Sequence, residues 1–91
     1  MNKKDLVVAT ATKTGLSQKD VGIVLEAILD TIGQALEDSQ KVTLVGFGAF
    51  ESKQRAARQG KNPKTGEIVD IPPAKLPVFK AGKSLKDRVN K

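Results

Sequence analysis

Residues 46–66 read GFGAFESKQRAARQGKNPKTG, and the reading of this stretch decides the fold. Gly46-Phe47-Gly48 is a turn, and a strand is expected from Ala49 to about Arg58, with Phe50 near its start. After Phe50 the alternation continues without an apolar side. Ser52, Gln54 and Ala56 share one face, and Glu51, Lys53, Arg55 and Ala57 share the other. Neither face has a core to join, so the strand is expected to leave the body of the protein. Gln59 to Gly66 is turn chemistry throughout. A returning strand is expected from Glu67, through Ile68, Val69 and Ile71. Pro72-Pro73 interrupts it, as an edge or a kink must. Strand character resumes from Lys75 to Lys80, with Leu76, Val78 and Phe79. The expected product is a two-stranded projection from about Lys53 to Lys75. An isolated ribbon is marginally stable in water, so in the free chain the segment reads equally as a disordered loop that a ligand would order.

Outward from this stretch the period changes. Val42 and Leu44 alternate with Thr43 and Val45 as a short strand. Before them lies the strongest helical periodicity, expected to run from the capping pattern Ser17-Gln-Lys-Asp20 to about Asp38. Val21, Leu25, Ile28, Ile32 and Leu36 form its stripe, widened by Val24, Leu29 and Ala35. Gly22 and Gly33 each weaken such a helix by about 1 kcal/mol relative to Ala, so packing must hold it, and both leave room for another helix. A first helix is expected from the Asn2 cap, with Asp5 in its first turn, to the stop at Gly15. A short last helix begins near Gly82, with Leu85 and Val89 four apart. The order is α-α-β-β-β-α, an α+β chain of one domain: residues 1–40 are helical and residues 53–75 form the arm.

Charge is divided along the chain. Residues 1–40 carry four Lys and six acids, net −2, whereas residues 41–91 carry twelve Lys and Arg and four acids, net +8. The second part is a cationic field suited to a polyanion, although a basic tail can also serve solubility alone. No Cys and no His are present, which excludes disulfides, thiol nucleophiles and His-dependent catalysis. Neither a signal peptide nor a transmembrane run is expected, and hence no membrane partner. With three Phe and neither Trp nor Tyr, single-strand stacking platforms are hard to build. At 91 residues, without cysteines or metals, oligomerisation is the usual route to a sufficient core.

Arg55, Arg58, Lys61 and Lys64 stand on or near the ribbon, with Lys53 and Lys75 at its base. Such cations can follow phosphates on both sides of a groove, or simply solvate a charged hairpin. Pro63, after Asn62, is either turn geometry or a rigid apolar wedge able to enter a base step. Phe47, Phe50 and Phe79 fall where strands meet helices and read as core or dimer interface. Ala81-Gly-Lys-Ser84 looks like the end of a phosphate-binding loop, but Pro77 stands where its first Gly would be. No catalytic constellation, metal site or cofactor is expected, and the chain does not read as an enzyme.

The segment Gly46-Phe47-Gly48-Ala49-Phe50, followed by Arg55-x-x-Arg58-x-Gly60-x-Asn62-Pro63-x-Thr65-Gly66, resembles the signature of the bacterial HU/IHF family of histone-like proteins, closest to HU. The likeness continues through Asn2-Lys3 with Leu6, Lys41-Val42-Thr43-Leu44 and Pro77-x-Phe79-x-x-Gly82-Lys83-x-Leu85. It implies an intertwined homodimer with a helical base, a three-stranded antiparallel sheet saddle and protruding arms. Leu29, Ile32, Leu36, Leu44, Phe47, Phe50 and Phe79 would form the dimer core. In the arm, Lys53, Arg55, Arg58, Lys61, Asn62, Lys64, Thr65 and Lys75 would meet DNA, and Pro63 would intercalate. On the body, Lys3, Gly46, Lys80, Lys83 and Lys86 would meet phosphates. Lys53 and Lys61 occupy positions where many relatives carry Arg, and Lys lacks the planar fork. The implied function is sequence-nonspecific bending, wrapping and compaction of double-stranded DNA in the nucleoid of a bacterial cytoplasm, with bent, nicked or distorted DNA as candidate preferred forms. Sequence-specific bending of the IHF kind and, less directly, RNA binding or a purely structural role are the competing readings.

Overall fold

The computed structural model describes Met1–Lys91. Its elements are α1 (Lys3–Thr14), α2 (Gln18–Glu37), β1 (Val42–Leu44), β2 (Gly48–Arg55), β3 (Arg58–Lys61), β4 (Ile68–Ile71), β5 (Ala74–Ala81) and α3 (Lys83–Val89). Residues 1–34 and 35–91 form two compact units.

In the first unit, α1 is closed at both ends by the residues expected to do so. The Asn2 side chain accepts from the Asp5 N–H at 2.9 Å, and the Asp5 carboxylate accepts from the Asn2 N–H at 3.2 Å. Gly15, at φ 76°, returns its N–H to the Ala11 carbonyl. At the start of α2 the Ser17 hydroxyl accepts from the Asp20 N–H at 3.0 Å. Ala11 and Val21 are buried, while Ile23, Val24, Ile28 and Leu29 on α2 remain about half exposed. An apolar recess of about 320 Å³ opens among Leu6, Val7, Leu16, Val24, Leu25 and Ile28. A Cβ at Gly22 or Gly33 would meet nothing within 4 Å, so no helix of the same chain approaches these glycines.

In the second unit, β1, β2 and β5 make an antiparallel sheet in the order β1-β2-β5. Val42 faces Phe50 across β1 and β2, and Phe50 faces Phe79 across β2 and β5. Opposite residues share a face, so Val42, Leu44, Phe50 and Phe79 lie together. The Phe79 ring lies 4.9 Å from that of Phe50 and 5.6 Å from that of Phe47, tilted against both.

Two expectations about the ribbon need correction. The strand from Ala49 does not run to Arg58: pairing stops at Arg55 opposite Ala74 and restarts at Arg58 opposite Ile71. The cause lies on the opposite strand, where Pro72 and Pro73 have no N–H to give to a ladder. Ala56 and Ala57 therefore lose their partners, and both strands break at one level. Residues 59–66 are not all turn: Gln59, Gly60 and Lys61 pair with Asp70, Val69 and Ile68. The reversal is confined to Asn62–Glu67, where the Asn62 N–H donates to the Glu67 carbonyl at 2.8 Å.

Candidate nucleic-acid interface

The register sorts the cations by face. Ala49, Glu51, Lys53 and Arg55 on β2 stand opposite Lys80, Val78, Leu76 and Ala74 on β5. Lys53, Arg55 and Lys80 therefore share the sheet face opposite the phenylalanines. Lys75 does not, because its partner is Gln54, on the Phe50 side. Its ammonium donates at 2.7 Å to the carbonyl of Glu37, in the last turn of α2.

One acid sits within this cationic face. Glu51 accepts from Lys80 at 2.7 Å. That hydrogen bond holds the carboxyl below its ordinary value of 4.5; partial burial acts in the opposite direction, and the charges of Lys80, Lys41 and Lys53 add to the lowering. Lys41, not among the residues expected to meet DNA, thus contributes to the field here. The available signal was its parity with Thr43, whose partner Ala49 lies on the same face.

Arg55 occupies the break between sheet and ribbon. Its guanidinium donates to the Pro72 carbonyl at 3.0 Å, and its Nε is enclosed without a partner. Beyond the break, Arg58 shares a ribbon face with Val69 and Ile71, and Lys61 shares the other with Ile68 and Asp70. Gly60 lies beneath Ile71, whose Cδ1 would be 2.8 Å from an added Cβ. Ile68 is 71% exposed, so the basic ribbon also presents apolar surface.

The tip is ordered by local bonds. The Asn62 side chain accepts from the Lys64 N–H at 2.9 Å, the Thr65 hydroxyl accepts from the Glu67 N–H at 3.3 Å, and Gly66, at φ 74°, donates its N–H to the Asn62 carbonyl at 2.7 Å. These bonds leave the Pro63 ring exposed at the end of the ribbon, flanked by exposed Lys61 and Lys64. Elsewhere, Gly46 turns at φ 82°. Lys83 and Lys86 are exposed one turn apart on α3, and Lys3 is ion-paired with Glu26. Of the apolar residues expected in a dimer core, Leu29, Leu44, Phe47 and Phe79 are exposed in the single chain, whereas Ile32, Leu36 and Phe50 are half-buried.

A family model described as "Bacterial DNA-binding protein" matches residues 1–90. The chain belongs to this family. Among members of the bacterial DNA-binding family, it is 50% identical to DNA-binding protein HU of Clostridium pasteurianum over the full length of both chains. It is 52% identical to DNA-binding protein HU of Geobacillus stearothermophilus, over 98% of this chain and 99% of that one. Among solved structures, it resembles an Anabaena HU–DNA cocrystal structure with a TM-score of 0.92 and 49% identity, covering 98% of this chain and 97% of that one. HU from Thermotoga maritima gives a TM-score of 0.70 at 38% identity, over 98% of each chain. The α+β architecture and the family expected from the signature are thereby borne out.

Proposed function

We propose that this chain is an architectural, largely sequence-nonspecific binder of double-stranded DNA, acting as a homodimer and associated with the bacterial nucleoid. The observation that carries this reading is the exposed Pro63 at the tip of a ribbon whose cations are Arg58, Lys61 and Lys64. The likeness to a chain crystallised with DNA supports the same conclusion. Cations on either side of the ribbon meet phosphates along a groove and release counterions, so affinity falls steeply with salt. Asn62 and Thr65 hold the loop that presents Pro63, whose ring has the rigid apolar shape needed to part a base step. This is the mode of minor-groove benders, HU and IHF among them. Unstacking costs a few kcal/mol, offset by the contacts that bent DNA makes with Lys53 at the base of the arm and with the body through Lys80, Lys83, Lys86, Lys3 and the Gly46 turn. A prebent or nicked duplex has met part of that cost in advance and is bound more tightly.

Pro63→Ala is the direct test, read by FRET between the ends of a short duplex. The variant retains binding to linear duplex and loses a large part of the bend. An unchanged bend would remove the wedge from the mechanism. Gel shifts on linear, nicked and prebent DNA at two salt concentrations, with a matched RNA duplex beside them, test the substrate class. A preference for the RNA duplex would overturn the DNA assignment.

A further inference from the structure

The C-terminal end of α2 is closed in an unusual way. Ser39 adopts a left-handed conformation at φ 59°, its N–H donates to the Leu36 carbonyl at 3.1 Å, and the Gln40 N–H donates to the Ala35 carbonyl at 2.8 Å. This pair of bonds is a Schellman closure. It leaves the Glu37 carbonyl unmet at the negative end of a 20-residue helix whose last turn contains no basic residue. The sheet supplies what the helix lacks. The Ser52 hydroxyl of β2 adds a second bond to the Leu36 carbonyl at 2.7 Å, and the Lys75 ammonium of β5 meets the Glu37 carbonyl at 2.7 Å. Ser52 pairs with Pro77 and Lys75 with Gln54, so both donors stand on the phenylalanine face.

We infer that Lys75 is a positioning residue that closes α2 and fastens the root of the arm to the helix end, and that it is not a phosphate ligand. Lys53, one pair along the same ladder and opposite Leu76, faces the other way with Lys80 and Arg55. Two lysines that flank the arm similarly in sequence are thus divided by parity: one works on the helix end, the other belongs to the cationic face. The division rests on the DNA-binding reading only for Lys53, since the closure of α2 exists without DNA.

The test compares Lys75→Met, Lys75→Arg and Lys53→Met in the full-length protein. Without DNA, K75M lowers the thermal midpoint by about 2–5 °C, from the loss of one favourable charge at a helix end. It also speeds amide exchange at Ser39 and Gln40, and K75R, which keeps a charged donor, restores both. With a linear duplex, K53M reduces the slope of log affinity against log salt by about 1.8, one phosphate's worth from each of the two protomers, and K75M changes it by less than half as much. A K75M slope loss equal to that of K53M overturns the inference, as does an unchanged midpoint and exchange rate in K75M. If no variant and no parent chain binds DNA, the proposed function fails, while the midpoint and exchange measurements still decide the role of Lys75.

Discussion

Gly48 and Gly60 both lie beneath a side chain of the neighbouring strand, yet replacing them carries very different costs. An added Cβ at Gly48 would stand 2.6 Å from the Lys80 carbonyl oxygen and 2.6 Å from Cζ of Phe79. Neither the ladder nor a ring packed against two others can retreat, so Gly48→Ala destabilises by about 3 kcal/mol. At Gly60 the neighbour is Cδ1 of Ile71, the free end of a flexible side chain on a half-exposed ribbon. Gly60→Ala therefore costs less than about 1 kcal/mol, part of it offset by the reduced entropy of the unfolded chain. Denaturant unfolding of the two variants checks the contrast; equal losses would contradict it. The sequence shows Gly46 and Gly48 as one turn. Only Gly46 needs its glycine for a positive φ, and the close approach at Gly48 depends on strand register, which local composition does not encode. Glu51 is a second case. It reads as an ordinary acid among cations until the register puts Lys80 beside it. Its carboxyl titrates below the ordinary value, so the pair contributes stability above that value and loses it as pH falls through the lowered one. Glu51→Gln consequently differs from the parent at neutral pH and converges with it in acid, as thermal melts across pH would show. Removing the acid also frees Lys80 for a phosphate, and E51Q binds linear duplex up to about fivefold more tightly, the scale of an exposed ion pair. Weaker binding by E51Q would show that Lys80 needs Glu51 to be held in place.

At the scale of elements, both helix ends of α1, the stripe of α2 and the strand around Leu44 were legible because each depends on residues within a few positions. The two-stranded ladder beyond the short sheet was legible, since nothing after Phe50 on β2 offers a core-forming face. The break between sheet and ladder was not. Pro72 and Pro73 mark a kink in their own strand, but the loss of pairing at Ala56 and Ala57 appears only once those residues are known to lie opposite. At Gln59–Lys61 the reverse holds, because turn-forming composition conceals a paired strand. The break leaves the ribbon with four residue pairs of its own, joined to the sheet through the Arg55–Pro72 bond. A ladder that short, with Ile68 and Val69 exposed, has little to stabilise it alone. Amides of β3 and β4 should thus exchange far faster in the free protein than those of β2 and β5, and slow markedly on addition of duplex DNA. Comparable protection of both ladders without DNA would mean that the arm is ordered in advance and that binding does not bear an ordering cost.

For the whole molecule, the decisive quantity is how little one chain buries. In residues 1–34 only Ala11 and Val21 are buried hydrophobic residues, and residues 35–91 contain none. Phe47, Phe79, Leu29 and Ile28 are each more than two-fifths exposed. Ordering a residue costs on the order of 1–2 kcal/mol of conformational entropy, and so shallow a core does not offset that cost over 91 residues. The apolar stripe of α2 and the phenylalanine face were both visible in the sequence as periodicities. Length and composition pointed to oligomerisation but left open whether these faces are covered within one chain, and in the single chain they are largely uncovered. In the proposed homodimer a second copy would cover them, which would make folding and association one event and stability dependent on protein concentration. Light scattering should give twice the 9.7 kDa of one chain. Each tenfold increase in concentration adds about 1.4 kcal/mol to the apparent stability of such a dimer. For a folding unit of that combined size, this raises the thermal midpoint by about 3–5 °C. Phe79→Ala, which removes the ring that touches both Phe47 and Phe50, should lower the midpoint and shift the assembly curve to higher concentration together. A midpoint independent of concentration, at the mass of one chain, would show that the exposed face is tolerated in a monomer, and a bend requiring two arms would then have no molecule to perform it.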